Sequence, residues 1–198
     1  IPISTNLKLF KYFTLNPSIT YREVWQLKGI EKSWDSDRQE VLMDTVPGFQ
    51  RFGEASAAAG LSTILYGMYN FRSSKIKAIR HVMTPTASFN FKPDYSNQSF
   101  GYFRNIGIPD AALDTLNLSN EYTAFEYGLF GRPSSNESGV INLRLQNNLE
   151  MKTVSKKDTT GKGKKVKLLD QLTFATNYDM FKDSIKWTPI SISGNATM

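Results

Sequence analysis

Between Gly139 and Val154 the chain reads GVINLRLQNNLEMKTV, and this stretch restricts its folding choices more than any other. Apolar Ile141, Leu143, Leu145, Leu149 and Met151 alternate with polar Asn142, Arg144, Gln146, Asn148, Glu150 and Lys152. Successive side chains of a strand point to opposite faces, so the pattern describes one apolar and one wet face. An ordinary strand needs about 5 to 6 residues, whereas one tilted through a bilayer needs about 9 to 11. Length and alternation together predict a transmembrane barrel strand.

The apolar content of 40% is modest for a 198-residue chain with a globular core. No apolar run approaches the roughly 18 residues that mark a membrane helix. A β-barrel is exempt from that test, because only every second residue faces lipid. Cysteine is absent, which removes disulfides, thiolate metal sites and cysteine nucleophiles. The opening IPIST carries no targeting signal, and the chain is expected to be an internal section of something longer. Net charge is +6, and six lysines fall within KKDTTGKGKKVK, residues 156 to 167. Basic charge this local argues against a nucleic-acid-binding face and for one solvated loop able to meet anionic phosphates.

Period-2 runs bounded by turn residues predict eight strands, at 3–9, 14–25, 52–71, 81–92, 121–130, 139–153, 168–178 and 187–198. The connections alternate in length: short at 10–13, 72–80, 131–138 and 179–186, long at 26–51, 93–120 and 154–167. The expected fold is therefore all-β, an antiparallel up-and-down transmembrane β-barrel section of about eight strands with short periplasmic turns and long extracellular loops. The whole of 1–198 is expected to belong to one outer-membrane barrel domain. Two short helices are expected inside the loops, one from the Ser36–Gln39 capping box and one opened by Pro109 in PDAALDTL.

Alternation assigns faces. Leu61, Leu65, Tyr69, Met83, Ala87, Phe89, Phe91, Leu172, Phe174 and Tyr178 fall on the apolar side, and Asn16, Ser18, Thr20, Arg22, Thr84, Thr86, Ser88, Asn90, Thr173 and Asn177 on the wet one. Aromatic residues gather near strand ends, among them Phe10, Tyr12, Trp25, Tyr69, Phe71, Tyr102, Tyr122, Phe130 and Trp187. Interfacial girdles of a barrel would look like this. The competing account is that they fill a sandwich core.

Particular words then carry a family resemblance. LSTILYGMYNF, KIKAIRHVMTPTASFNFKPDYS, NNLEMKTVSKKDTTGKGKKVKLLDQLTFATNYDM and DSIKWTPISISGNATM, in that order, resemble the barrel of LptD/OstA-like lipopolysaccharide-assembly proteins, over most of the chain. The resemblance implies a Gram-negative outer-membrane protein that transports lipopolysaccharide and inserts it into the outer leaflet. It also implies an LptE-like plug lipoprotein, periplasmic Lpt bridge proteins and outer-membrane lipids as partners. The chain departs from the complete pattern in lacking an N-terminal jellyroll and in having too few strands for the family's large barrel.

Chemistry of an enzymatic kind is not legible. His81 is the single histidine and has no local motif partner, so no triad is indicated and an interfacial or turn role is favoured. Asp35–Asp37 lacks the rest of a calcium loop, GKGKK at 161–165 lacks Walker spacing, and no cofactor is called for. The candidate contacts are Arg22, Asn142, Arg144, Gln146, Asn148, Glu150 and Lys152 on the wet face, either guiding a glycolipid or simply solvating a lumen. At the surface they are Lys156, Lys157, Lys162, Lys164 and Lys165, facing phosphates or water. Rival readings are another outer-membrane barrel, porin or transporter, and a soluble β-sandwich carbohydrate-binding module.

Overall fold

Alternating side chains favour extended backbone, and in the computed structural model, which describes residues 1–72, 75–153 and 163–196, nearly every alternating run is a strand. In chain order these are β1 (Pro2–Ser4), β2 (Leu7–Leu9), β3 (Phe13–Asp35), β4 (Glu40–Thr63), β5 (Leu65–Asn70), β6 (Ile76–Lys92), β7 (Phe103–Asn105), the helix α1 (Asp110–Leu116), β8 (Glu121–Thr123), β9 (Ser138–Thr153), β10 (Lys164–Asp179) and β11 (Ser191–Asn195). The main sheet runs β1-β3-β4-β6-β9-β10-β11, with β2 on β3 and β5 on β6, while β7 and β8 form a separate pair. Neighbours follow chain order and pair antiparallel, which is an up-and-down arrangement.

Strand count is the first correction: among the described residues nine strands share the main sheet and two more form the small one. The expected loop at 26–51 is instead the far part of a hairpin, with β3 continuing to Asp35 and β4 starting at Glu40. Pro47, Gly48 and the surrounding charges disguised it as a loop. The predicted Ser36–Gln39 helix is likewise a turn. The Asp35 carboxylate accepts the amides of Asp37 (2.9 Å) and Arg38 (3.2 Å), a local bond that closes hairpins as readily as it caps helices. The expected strand at 121–130 shrinks to β8, and turns take over from Ala124. The expected helix at Pro109 is present as α1, with Pro109 at its N-cap. Most of the predicted 154–167 loop lies outside the described residues, and β10 begins at Lys164.

The chain divides into two compact units, one of residues 1–3, 19–56 and 92–138, the other of 4–18, 57–91 and 139 onward. In the first, the segment from Lys92 to Ser138 is an insertion that folds onto the β3–β4 hairpin. Its core is Val24, Phe52, Ala124 and Phe125, all buried, with Tyr102 packed against them. Tyr102 and Tyr122, expected at a membrane rim, belong to this insertion, and Tyr122 is 4% exposed. Two tyrosines also serve the backbone of β4. The Tyr102 hydroxyl accepts from Gly53 N (3.1 Å) and donates to Gly53 O (3.2 Å), and Tyr95 does the same for Ala55. The ladder between β4 and β6 starts only at Ala57, so these hydroxyls satisfy donors and acceptors of a strand edge that would otherwise stand open.

Asp94 closes the neck of the insertion. One carboxylate oxygen accepts Ser96 N (2.8 Å), Ser96 Oγ (2.7 Å) and Asn136 N (3.1 Å), tying residues 94–96 to the far end of the segment. Those bonds, the one from the Ser96 hydroxyl foremost, hold its carboxyl below the usual aspartate range. A depressed pKa means the clasp is at full strength above the ordinary aspartate value and is lost as pH falls through the lowered one. Proteolytic cutting within 92–138 is thus expected to accelerate in that acid window, and Asp94→Ala should cut equally fast at every pH. An unchanged pH profile in the variant would remove the role assigned to Asp94.

Candidate functional site

Register in the second unit decides which side chains share a face. Along β9 and β10 the pairs Asn142–Asn177, Arg144–Ala175, Gln146–Thr173, Glu150–Lys167 and Lys152–Lys165 fall on one side, and Ile141–Tyr178, Leu145–Phe174 and Met151–Val166 on the other. The polar row continues onto β6, where Asn142 donates to Ser88 Oγ (3.2 Å), Thr86 Oγ1 donates to the Arg144 carbonyl (3.4 Å) and Arg80 meets Glu150 at 3.7 Å. On the other edge of β10, Thr173 stands opposite Ser193, and Phe174 opposite Ile192. The result is a wet face on one side of the sheet and a largely apolar one on the other, as the alternation predicted. Leu61, Leu65, Tyr69, Phe89, Leu143 and Ile192 on the apolar side are all exposed.

One polar pair interrupts that apolar face. Asn147 lies in the odd-numbered row with Leu145 and Leu149, and its amide oxygen meets His81 Nε2 at 3.1 Å. The cause is in β10, whose pairing to β9 shifts between Lys167 and Leu169 and again between Leu169 and Leu172. Bulges free backbone carbonyls from the ladder. Asn147 donates to Leu172 O (3.3 Å), and Asn148 donates to Asp170 O, so the two asparagines restore the missing partners. Gly67 stands directly opposite His81 in the β5–β6 ladder. Sequence reading missed this role for Asn147 and gave Asn148 a lumen role instead; the doubled NN within an otherwise alternating strand was the available signal.

Replacing Asn147 with leucine is expected to cost about 2 to 4 kcal/mol, since the accepting Leu172 carbonyl and the His81 imidazole both lose their partner in a site only 8% exposed. Urea unfolding of Asn147→Leu measures it. Stability equal to the unsubstituted protein would show that the bulge carries no such debt.

An open pocket of about 410 Å³ lies where β5, β6, β9 and β10 meet, lined by Met68, Asn70, Lys77, Ala78, Arg80, Glu150, Met151, Lys152 and Lys165. Three predicted residues, Glu150, Lys152 and Lys165, come together there. Arg80 joins them and was not foreseen, although its place in the even-numbered row of β6 puts it on the wet face. Its guanidinium lies 5.5 Å over the Tyr66 ring. Arg144 and Gln146 lie further along the same face, Arg144 exposed and Gln146 half-buried. Arg22 is in the first unit, paired with Glu54 and 5.5 Å over Phe52, on the hairpin side that receives the insertion. Lys164 pairs with Thr153 in the ladder. Lys156, Lys157 and Lys162 lie outside the described residues.

Among the described residues there is no group of three or more His, Asp or Glu placed to hold a metal ion. No described helix is long and apolar enough to cross a membrane, a test that does not bear on strands.

These features define an all-β, up-and-down antiparallel protein whose sheet has one wet and one apolar face. Within that class the match is specific: the family model described as LptD protein covers residues 1–198, and the chain belongs to that family. No curated protein and no solved structure matches it.

Proposed function

We propose that this chain is a section of an outer-membrane β-barrel that carries lipopolysaccharide to the outer leaflet of a Gram-negative bacterium, as a conduit and not an enzyme. Membership of the LptD family supports a role in lipopolysaccharide transport. The observation that carries the reading is the division of β6, β9 and β10 into a wet and an apolar face, broken on the apolar side by the His81–Asn147 pair. An amphipathic glycolipid needs a hydrophilic path for sugars and phosphates, and lipid-facing strands need an apolar exterior. Asn142, Arg144, Gln146, Glu150 and Lys152 would line that path, with Asn148 spent on the bulge. Exposed Leu143, Phe89, Leu65 and Ile192 would meet the bilayer, because contiguous apolar surface of this extent marks a membrane or partner interface. Closure of the sheet would come from pairing its β1 and β11 edges with further strands, in one barrel domain. An LptE-like lipoprotein in the lumen and periplasmic Lpt bridge proteins would complete the assembly.

A photo-crosslinking residue placed singly at Gln146, Arg144, Leu143 and Leu145, in cells carrying the complete protein, tests this. Lipopolysaccharide adducts are expected at Gln146 and Arg144 and none at Leu143 or Leu145. Adducts at the leucines alone, or at no position, would defeat the conduit reading.

A further inference from the structure

We infer that the pocket between the β3–β4 turn and α1 binds a neutral saccharide. It measures about 460 Å³ and is lined from the hairpin by Trp34, Ser36 and Gln39, and from the helix side by Pro109, Thr115 and Leu116. Both sets of residues belong to the first unit. None of the lining residues carries a charge, in a chain that is 21% charged. Arg38, the one cation of the turn, lies 3.9 Å from Asp35 and 3.7 Å from Glu40, and Asp35 already accepts two turn amides. The lining therefore offers no counter-charge to a phosphate, a carboxylate or an ammonium group.

What it does offer is the pair of surfaces that a sugar needs. One face of a pyranose ring presents C–H groups that lie against an indole, while its rim of hydroxyls both donates and accepts. Trp34, half-buried at the end of β3, supplies the aromatic wall, and Leu116, 45% exposed, a further apolar surface. Beside them stand the Ser36 hydroxyl and the Gln39 amide, which can donate and accept at once. The Thr115 hydroxyl spends its proton on the Ala111 carbonyl (2.7 Å) and keeps lone pairs for an incoming donor. An apolar wall with a few placed polar groups is the usual make-up of a small-molecule site of this volume. Gln39 gives a second, independent sign. Its φ of 52° lies in the left-handed region, where hairpin turns ordinarily carry Gly, Asn or Asp. A glutamine held there costs stability, and strain of this kind persists where the side chain is needed. Proline-rich peptides also dock on aromatic walls, but their grooves present several, and Trp34 is the one aromatic ring in this lining.

The site draws its residues from the first unit alone and does not rest on the conduit reading. The complete protein, in a polyoxyethylene detergent free of sugar, is applied to an immobilised array of lipid-free oligosaccharides, neutral, acidic and phosphorylated. At least one neutral hexose oligosaccharide is expected to bind, and titration with it gives the affinity. Trp34→Ala should weaken that affinity at least about tenfold, and Trp34→Phe should restore it to within about threefold. Gln39→Gly should weaken it about fivefold while unfolding at the same or higher urea concentration, because glycine relieves the left-handed turn. That combination separates a lost contact from a damaged hairpin. Binding to no neutral glycan, or unchanged affinity in either Trp34→Ala or Gln39→Gly, would overturn the site. Recognition confined to acidic or phosphorylated glycans, or tighter binding of a polyproline peptide titrated alongside, would overturn the neutral saccharide as its ligand.

Discussion

Phe52→Ala is expected to release the 92–138 insertion from the β3–β4 hairpin, at a cost of about 3 to 5 kcal/mol. Phe52 is 1% exposed and the most enclosed large side chain of its unit. Its ring meets Phe125 edge-on at 4.6 Å and Tyr102 at 6.1 Å, and Arg22 lies over it at 5.5 Å. Truncation removes the transfer energy of the ring and leaves a cavity, because an insertion tied at its neck by Asp94 cannot collapse freely into the gap. The remaining anchors are individually smaller. Gln26 donates to Ala124 O at 3.1 Å, Lys32 meets Glu126 at 2.6 Å, and the two tyrosine hydroxyls hold the β4 edge, each worth about 1 kcal/mol net. Their sum is comparable to the loss, so the segment should open locally while the β9–β10 ladder keeps its protection. Hydrogen exchange resolved along the chain measures both. Unchanged protection across 92–138 would mean that the aromatic cluster does not hold the insertion. Trp25→Ala is the matched control, since Trp25 is 63% exposed on the other side of β3 and touches only Phe49 among the rings.

Lysine substituted at Leu143 and, separately, at Asn142 should separate the two faces of β9. These positions are adjacent in sequence and opposite in direction. Lysine on a lipid-facing site near the bilayer midplane costs about 2 to 4 kcal/mol. At Asn142 the only identified loss is its 3.2 Å hydrogen bond to Ser88, about 1 kcal/mol. Urea titration of the protein folded in phospholipid vesicles is expected to find Leu143→Lys the less stable by at least about 1 kcal/mol. Equal tolerance would sink the assignment of faces, and with it the proposal that this sheet lies in a membrane.

Much of the sheet was legible because strand alternation is local. The faces of β6, β9, β10 and β11 follow from period 2 alone, and register added only which residue stands opposite which. The insertion was not legible for the opposite reason. Tyr102 and Tyr122 look like rim aromatics in a list of residues, and Phe125 like one face of a strand, whereas Phe125 belongs to the Phe52 cluster, Tyr102 packs against it and bonds the β4 backbone, and Tyr122 is buried within the insertion. The hairpin across 26–51 was missed because its strands carry Pro47, Gly48 and many charges, and its pairing is a long-range property. The pocket was half legible: Glu150, Lys152 and Lys165 were identified as wet or basic, whereas Lys77 and Arg80 join them through strand pairing that no local motif encodes.

By itself, then, the order of residues determined that this chain would be β, that its strands would be long and two-faced, and which family it resembles, because alternation and characteristic words are properties of neighbouring residues. The tertiary structure alone decided that His81 meets Asn147 across two strands, that asparagines repair the bulges of β10, that tyrosine hydroxyls guard the edge of β4, and that like charges face each other at Lys152 and Lys165. Each of these depends on register, which is settled by side-chain burial and ladder hydrogen bonds between segments far apart in the chain.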